Sequence, residues 1–331
     1  MSDEDPTTAV GALVAVLSVL AVGLRFYTRY STEAGFKWDD WLILLALLAM
    51  ISTDILSLYG TSINPQGAER ASNSDPNQVY TSADILYGRI GFGETVLYYT
   101  VTSSTKLSIL LMYNRLFSVN PSFRHQVIGA AILVVGFWIG CTVADLLNCI
   151  PLKWVWLNSQ ADPRYCFNYN IFWMASGIVE LILDVLIIAM PIKIVIGLQL
   201  NKRKKVAVAA VFFLGFFAVL SGLVKVIVSY VPGSRNPEFS KTIVWTTVHA
   251  GTGIVCACLP VCWPLFVRLT RLSLSPWPVV SSIQKHWYSF SGWSSMDRRS
   301  ASRGATPEFE RSTNAIAGGY ELPIYNAGAK T

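Results

Sequence analysis

The chain has 331 residues, of which 53% are hydrophobic and only 14% carry a charge, and its formal net charge is +6 at pH 7. Soluble domains average roughly 25% charged residues, and the apolar residues here form long runs rather than one-sided stripes, which argues against a soluble globular protein. The basic residues cluster in short connections and in the C-terminal region, so the positive charge indicates a membrane surface and no nucleic-acid partner.

Seven segments have the length and composition of membrane-spanning helices. A helix needs about twenty mostly apolar residues to cross a hydrocarbon core about 30 Å thick. The pattern therefore predicts an all-α fold, a polytopic membrane protein with a seven-transmembrane helix bundle in residues 9–268. The predicted spans are residues 9–27, 39–60, 86–117, 126–148, 170–198, 206–230 and 243–268.

Charge asymmetry predicts the side of the membrane on which each terminus lies. The N-terminal segment, residues 1–8, is acidic, whereas the first, third and fifth connections and the tail, residues 269–331, are rich in lysine and arginine. Basic residues accumulate on the cytosolic side, so the N-terminus is predicted outside and the C-terminus in the cytosol. The second half of the tail is rich in Gly, Ser, Pro and Arg, which predicts a largely disordered segment.

The first connection, RFYTRYSTEAGFKWDDW at residues 25–41, combines charges with aromatic rings. Tyrosine and tryptophan favour the membrane interface, and aspartates favour the positive end of a helix dipole. We expect the charged side chains of this connection to hold the ends of the first two helices at the level of the lipid headgroups. Asp39 and Asp40 are expected at the start of the second helix.

Ionisable residues inside the predicted spans are the most informative feature of the sequence. A charged side chain at mid-bilayer costs about 2.5–3.5 kcal/mol on insertion scales, so such groups should face a shared interior or a watery cavity. Glu180 and Asp184 are four residues apart and share a helix face, and Lys106 and Lys225 are their candidate partners. Either these residues form a lysine–carboxylate network below an outward-opening ligand cavity, or the paired charges only fix helix register. The predicted polar network comprises Asp54, Glu94, Lys106, Asp145, Glu180, Asp184, Lys225 and His249.

Cysteine positions predict one disulfide bond and no metal site. Cys149 and Cys166 flank the second outer connection, where the compartment is oxidising, and a bridge closing this loop would contribute roughly 3 kcal/mol of stability. Cys256, Cys258 and Cys262 lie in the seventh span. They lack the paired spacing of a zinc site, and we expect them to pack as small core residues.

No sequence pattern typical of an enzyme is present, and no catalytic residue is predicted. Pro191 and Pro260 are expected to kink the fifth and seventh helices, because proline removes a backbone hydrogen bond and clashes with the preceding turn. The basic connection NKRKK is first of all a topology signal. Together with the end of the third span it also forms a candidate cytosolic coupling surface, which comprises Arg115, Lys202, Arg203, Lys204 and Lys205.

Several motifs, in this order, resemble the fungal rhodopsin-domain integral membrane proteins. They are RFYTRY with WDDW, TKLSILLMYNRLF, Cys149-Ile-Pro with Trp154 and Cys166, ELILDVLIIAMPIKIVIGLQL, and IVCACLPVCWPLF. The family includes the satratoxin-cluster membrane protein and receptor-like proteins of plant-pathogenic fungi. The resemblance implies a seven-helix, receptor-like membrane protein. Retinal is not expected as a cofactor, because its Schiff base needs a lysine in the seventh helix and residues 243–268 contain none.

Two functions are open at this point. The resemblance implies a multi-pass receptor of the plasma membrane that senses an unknown small-molecule or surface ligand and signals to a heterotrimeric G protein. The alternative is a transporter or accessory membrane protein associated with secondary-metabolite biosynthesis, in which the same charges couple to protons. Inverted repeats would favour transport, and we find none in the sequence.

Overall fold

The computed structural model describes residues 6–73, 79–116, 121–157, 164–192 and 202–274, with the backbone alone for 6–7, 116, 202–211 and 263–274. Within these ranges the regular elements are helices, and the one β-bridge joins Cys149 to Cys166. The predicted all-α fold is therefore confirmed. In chain order the helices are α1 (Pro6–Ser31), α2 (Trp38–Ile63), α3 (Gly67–Ser72), α4 (Ser82–Leu116), α5 (Pro121–Leu146), a 3₁₀ turn (Leu152–Val155), α6 (Tyr169–Ala189), α7 (Lys202–Ser229) and α8 (Phe239–Leu274).

Six helices in the described ranges are long and apolar enough to cross a membrane. The segments that meet this criterion are Thr8–Ser31, Trp38–Ile63, Pro121–Leu146, Tyr169–Ala189, Phe212–Ser229 and Phe239–Cys262. They correspond to every predicted span except the third, whose helix α4 is 35 residues long but more polar. The count of seven spans and the sides on which the termini lie stay predictions.

Helix α4 is polar because its middle is covered by other helices. Residues 101–106, with the sequence VTSSTK, are each 6% exposed or less. The helix packs against α2, α5, α6 and α8. A helix segment surrounded by protein needs no apolar outer face, so a hydropathy criterion designed for lipid-facing helices fails for it.

The outer surface of the bundle is apolar, as a hydrocarbon solvent requires. Large aliphatic and aromatic side chains on different helices point away from the interior, among them Leu20 (62% exposed), Ile132 (66%), Phe213 (73%) and Ile227 (63%). In contrast, lysine, glutamate and arginine side chains on α1, α4, α6 and α7 are buried. An apolar exterior with charged side chains inside is the reverse of the arrangement in soluble proteins. It identifies the chain as a multi-pass membrane protein.

A glycine sets the distance between α6 and α7. A Cβ atom added at Gly177 would lie 2.6 Å from Cγ2 of Val226, which is closer than atoms can approach. Small residues allow membrane helices to pack closely, and here the close approach brings the next turn of α6, which contains Glu180, to α7. The sequence of α6 thus places a carboxylate directly against the neighbouring helix.

The fifth predicted span is interrupted at Pro191. It was predicted at residues 170–198 with a kink at Pro191, and α6 ends at Ala189 with Met190 as its C-cap in the helical conformation. Pro191 has no N–H to donate to the preceding turn, and the backbone forms a turn at residues 190–191 before Ile192 is helical again. The kink and the end of the span stay predictions. Residues 193–198 lie outside the described part of the chain.

The predicted disulfide bond between Cys149 and Cys166 is confirmed. We call the end of the bundle that contains it the disulfide end. The bridged connection is tied to the segment between α7 and α8, because Arg235 Nη2 donates to the carbonyl of Cys166 at 2.7 Å. The Asn170 amide donates to the carbonyls of Val231 and Ser234 at 2.7 and 3.0 Å. These bonds fix the two connections and the start of α6 relative to one another at this end.

Removing the disulfide should destabilise the protein measurably. The bonded cysteines are 17 residues apart, and closing a loop of this length contributes about 3 kcal/mol in the chain-entropy model. We expect Cys149→Ser with Cys166→Ser to lower the unfolding free energy in mixed micelles by about that amount. The free and buried Cys141 provides the control, because Cys141→Ser leaves the bridge intact. A double variant as stable as wild type would contradict this role.

A second polar cluster at the disulfide end surrounds Asp84, in the first turn of α4. Its carboxylate accepts hydrogen bonds from Arg70 Nη1 at 2.6 Å, from Asn64 Nδ2 at 2.7 Å, and from the backbone N and Oγ1 of Thr81 at 2.8 and 2.7 Å. Burial alone would raise the pKa of Asp84, but these donors outweigh it and lower the pKa. The carboxylate thereby attaches α2 and α3 to α4.

The lowered pKa of Asp84 predicts a loss of stability in acid. A group whose pKa is lower in the folded state contributes stability above its unfolded value, and this contribution disappears as pH falls through the folded value. We expect Asp84→Asn to destabilise the protein by about 1–3 kcal/mol at pH 7 and to flatten the pH dependence below about pH 4. Unfolding curves at pH 7 and pH 3 measure both effects. If Asp84→Asn loses as much stability between pH 7 and pH 3 as wild type does, the lowered pKa of Asp84 is refuted.

Candidate functional site

The centre of the bundle contains a buried cluster of ionisable residues around Glu180, which we call the Glu180 network. Glu180 is 2% exposed and lies on α6. Its partners come from three further helices, α4, α7 and α8. The members are Glu180, Asp184, Lys106, Lys225, His249 and Tyr98.

One oxygen of Glu180 is bound by α7 and α4 together. Lys225 Nζ donates to Glu180 Oε2 at 2.6 Å and to Tyr98 OH at 2.6 Å, and Tyr98 OH in turn donates to the same Oε2 at 2.7 Å. The ammonium also lies 4.7 Å from the ring centroid of Tyr98 and 5.6 Å from that of Trp173. An aromatic ring attracts a cation at such distances, most strongly when water is excluded. These contacts give the Lys225 amine hydrogen-bond and ring partners away from water.

The second lysine joins both carboxylates of α6. Lys106 Nζ lies 3.3 Å from Glu180 Oε1 and 3.0 Å from Asp184 Oδ1. The four-residue spacing of the two acids directs both toward α4, as the sequence predicted. Lys106 and Lys225 together balance the charges of Glu180 and Asp184, and this pairing offsets part of the cost of removing the four charges from water.

His249 on α8 faces the same two carboxylates. Its Nε2 lies 3.6 Å from Glu180 Oε1 and 3.6 Å from Asp184 Oδ2. On the other side of the ring, Nδ1 lies 3.1 Å from the carbonyl oxygen of Ala218 on α7. The histidine thus connects α8 to α6 and α7 through both of its nitrogens.

A cavity of about 50 Å³ lies beside the network. Its polar lining consists of Thr102, Thr105, Lys106, Asp184 and His249. One water needs about 10–15 Å³ on this measure, so the space suits a few waters or a small ion. Pockets for drug-sized ligands are about 300–1,000 Å³, and the cavity is far smaller.

The cavity lies on the side of Glu180 that faces away from the disulfide end. Helix α6 starts beside Cys166 and contributes Asp184 and Ile187 to the lining, which are beyond Glu180 along the helix. The ligand interpretation had expected a cavity that opens toward the outer connections, above the network. The cavity that the described residues line lies below the network instead, and above it the ring of Trp173 packs against Tyr98 and Tyr169. A cavity that opens outward stays a prediction.

Three predicted network residues lie elsewhere. Asp145 on α5 is 2% exposed and accepts a hydrogen bond from Tyr169 OH at 3.0 Å. Asp54 on α2 and Glu94 on α4 are partly buried. The structure therefore brings together Lys106, Glu180, Asp184, Lys225 and His249, and leaves the other three acids outside the network.

A second buried ion cluster joins α1, α2 and α8, and we call it the Arg25 cluster. Arg25 is fully buried. Its Nη2 lies 2.6 Å from Asp39 Oδ2, its Nε lies 2.8 Å from Asp40 Oδ1, and its Nη1 donates to the carbonyl of Ala257 at 2.7 Å. Arg29, one turn along α1, binds the same two carboxylate oxygens at 2.7 and 3.2 Å. Two arginines and two aspartates thus neutralise one another inside the protein.

The Arg25 cluster shows how the charges of the first connection are paired. They were expected to hold the helix ends at the level of the lipid headgroups, which stays a prediction, and in the structure Arg25, Asp39 and Asp40 are at most 3% exposed and bind one another. Their side chains point into the protein because each one meets an opposite charge there. Such charge-assisted hydrogen bonds are at least as favourable as a contact with a lipid headgroup. The aromatic rings do face outward, with Tyr30 78% and Trp38 79% exposed. Asp39 and Asp40 begin α2 as predicted.

Part of the predicted coupling surface is described. Arg115 lies near the end of α4, half-buried, on the side of the bundle that contains the Arg25 cluster. Burial lowers the pKa of Lys37, and the nearby guanidinium groups of Arg115 and Arg29 lower it further. The backbone of α7 begins at Lys202. The side chains of Lys202, Arg203, Lys204 and Lys205 lie outside the described part of the chain.

Sequence reasoning missed two features of these clusters. Tyr98 was overlooked because a tyrosine in a span usually indicates the interface. The pairing of Arg25 with Asp39 and Asp40 was also missed. The four-residue spacing of the two arginines, next to two adjacent acids at a helix start, is the signal that could have revealed it.

Comparison with known proteins gives the same family as the motifs. A family model described as the fungal rhodopsin domain matches residues 24–268. The chain is 26% identical to "Polyenoic acids biosynthesis gene cluster protein Ba17b" of Metarhizium anisopliae, over 78% of this chain and 72% of that protein. It is 25% identical to "Receptor GIN3" of Arthrobotrys oligospora, over 90% of this chain and 70% of that protein.

A third relative is matched over a shorter region. The chain is 26% identical to "Satratoxin biosynthesis SC1 cluster protein 4" of Stachybotrys chartarum, over 52% of this chain and 63% of that protein. The alignment therefore spans less than two thirds of that relative. The names of these relatives include both biosynthesis clusters and a receptor.

Proposed function

This chain belongs to the fungal rhodopsin-domain family, and from that premise we propose that it is a receptor-like protein of the plasma membrane. An external small molecule or surface cue changes the Glu180 network, and the change is transmitted to a heterotrimeric G protein on the cytosolic side. The proposal assigns the N-terminus and the disulfide end to the outside. It includes no catalytic step and no cofactor.

The observation that carries this proposal is the position of the Glu180 network. One carboxylate, Glu180, is bound by lysines from two other helices and approached by a histidine from a third. Four helices therefore depend on one group for the pairing of their buried charges. A small displacement of one helix at the disulfide end exchanges these partners, because buried ion pairs have discrete arrangements and do not stretch continuously.

The Arg25 cluster provides a route from the network toward the opposite end. Helix α8 contains His249 of the network and, two turns later, Ala257, whose carbonyl accepts from Arg25. Pro260 has no N–H to donate to the helix, which weakens α8 at this level. A shift of α8 at His249 therefore acts on α1 and α2 through Arg25, at the end where Arg115 lies.

A second candidate function, a transporter or accessory protein for a secondary metabolite, has its own support. The cavity beside Asp184 and His249 has room for water, which suits proton movement more than the binding of a large ligand. Two of the relatives reported above carry the names of biosynthesis-cluster proteins. In this alternative, protonation of the Glu180 network would accompany solute movement.

Guanine-nucleotide exchange tests the receptor proposal. Fungal membranes that contain the protein should exchange nucleotide on their G proteins faster than membranes without it. A variant in which Lys202, Arg203, Lys204 and Lys205 are replaced by glutamine should lose this stimulation. Arg124→Gln, at an exposed position on α5, is the control and should retain it.

Measurements of proton and solute flux test the transporter alternative. Purified protein in liposomes, loaded with a pH-sensitive dye, should move no protons under a solute gradient if the receptor proposal is correct. Proton or solute movement that disappears in Asp184→Asn would support the transporter and contradict the receptor.

A further inference from the structure

Three atoms that can each accept a proton converge inside the bundle. They are Glu180 Oε1, Asp184 Oδ2 and His249 Nε2, and the two oxygens each lie 3.6 Å from the nitrogen. We propose that this triangle is a binding site for one proton, supplied through the adjoining cavity. This inference concerns the protonation of the site and does not rest on the receptor proposal.

The hydrogen bonds on the other side of the ring fix the tautomer of His249. Nδ1 lies 3.1 Å from the carbonyl oxygen of Ala218, which can only accept. Ser221 Oγ, which lies 3.5 Å from Nδ1, donates its single proton to the same carbonyl at 2.8 Å. Nδ1 must therefore carry a hydrogen, because two lone pairs would otherwise face each other. In a neutral imidazole this leaves Nε2 with a lone pair.

Of the two oxygens that face Nε2, one has a donor and the other has none. Glu180 Oε1 accepts a hydrogen bond from Lys106 Nζ at 3.3 Å. Asp184 Oδ2 is buried and has no hydrogen-bond partner within the described ranges. A lone pair on Nε2 would point at two carboxylate oxygens, which is unfavourable in a medium of low dielectric constant. A proton on Nε2 converts both contacts into charge-assisted attractions.

The surrounding helices supply the charges that act on this site. Helix α4 contributes Lys106 and Tyr98, and α7 contributes Lys225. Helix α8 itself adds the thiol of Cys256, which lines the cavity. Where α1 and α2 meet α8, at Gly251, the neighbours are the uncharged side chains of Val14, Ser18 and Met50.

The two lysines and two carboxylates of the network are neutral together, so the added proton gives it one net positive charge. A further buried carboxyl group, that of Asp145, is connected to the Lys225 side through Tyr169 and Trp173.

The cavity gives the proton access to this site. It borders both Asp184 and His249 and has room for about three or four waters at 10–15 Å³ each. The hydroxyls of Thr102 and Thr105 in its wall can accept hydrogen bonds from such waters. A proton can therefore reach Nε2 from the cavity, whose lining includes Lys106 but not Lys225.

Nitrogen NMR of the histidines tests the inference directly. The chain contains three histidines, so ¹⁵N-histidine labelling gives three ring systems, and His249→Gln identifies one of them. The spectra are recorded at neutral pH on the full chain in nanodiscs of phosphatidylcholine. We expect both ring nitrogens of His249 to show bound protons. An Nε2 signal typical of a lone pair would overturn the proposal.

Two variants separate the proton site from a general change in structure. In Asp184→Asn, Glu180 is the one carboxylate left to balance Lys106, Lys225 and a protonated His249. We therefore expect the Nε2 proton signal of His249 to be lost. Ser221→Ala removes a neighbour of Nδ1 only, and the Nε2 proton should remain. Retention of the proton in Asp184→Asn, or its loss in Ser221→Ala, would show that the triangle does not hold it. Gel filtration and the His125 signal confirm that each variant is folded.

Discussion

Replacing Glu180 with leucine is expected to lower the free energy of unfolding by about 3–5 kcal/mol, which is the usual cost of breaking a buried ion pair by removing one partner. Lys106 keeps a carboxylate, because Asp184 Oδ1 lies 3.0 Å from its Nζ. Lys225 loses its carboxylate partner and keeps Tyr98. The cost therefore arises mainly from one uncompensated ammonium group on α7.

The measurement is the unfolding free energy in mixed micelles of a mild and a denaturing detergent. Glu180→Gln retains an acceptor oxygen for Lys225 and should be less destabilising than Glu180→Leu. Glu69→Gln, on an exposed position of α3, should change stability by less than about 0.5 kcal/mol. Equal stability of the Glu180 and Glu69 variants would mean that Glu180 is not paired as described.

Replacing Arg25 with methionine should have an effect of similar size, about 3–5 kcal/mol. Its guanidinium binds Asp39, Asp40 and the carbonyl of Ala257 with three different nitrogens. Without it, Arg29 alone must balance two buried aspartates, and the link between α1 and α8 is lost. Methionine fills much of the volume, so the change reports on charge more than on packing.

Arg25→Lys distinguishes charge from geometry in this cluster. A single ammonium cannot reach three acceptors that are arranged around a planar fork, so this variant should lie between wild type and Arg25→Met. Arg124→Ala, at an exposed position, serves as the control for loss of a surface arginine. If Arg25→Lys is as stable as wild type, the fork geometry has no role and the assignment of three acceptors is wrong.

The membrane-spanning helices were the most predictable part of the fold, because a hydrocarbon solvent selects long apolar runs directly. The helix α4 shows the limit of this argument. Its residues 101–106 are polar and buried, and only knowledge of the neighbouring helices explains why they are tolerated. The interruption of α6 at Pro191 is a local effect that the proline signalled, because proline has no N–H to donate to the preceding turn.

The candidate site was predictable where the spacing of residues along a helix alone determines the face on which their side chains lie. Glu180 and Asp184 share one face of α6, and lysines far from span ends must find acids, so their pairing follows from the sequence. Which further acids join them does not follow. Asp145 is equally buried but binds Tyr169, because the choice depends on how α5 and α6 pack.

The Arg25 cluster was missed for a different reason. Basic residues at a span end usually mark the cytosolic side of the membrane. This rule already explained the arginines of the first connection, so no ion pair with Asp39 and Asp40 was predicted. The structure shows that basic residues at a helix end can be buried, because Arg25 and Arg29 bind Asp39 and Asp40 across the turn. The sequence also could not predict on which side of Glu180 the cavity lies, because this position depends on side-chain packing.

The central claim is that Glu180 and Lys225 compensate each other inside the bundle, and a double-mutant cycle tests it most directly. Stability is measured for wild type, Glu180→Leu, Lys225→Met and the double variant, in which Lys106 and Asp184 remain as a neutral pair. We predict that the double variant loses less stability than the sum of the single variants, with a coupling energy of about 2–3 kcal/mol. Additive losses would show that the two residues do not interact, and would contradict the account.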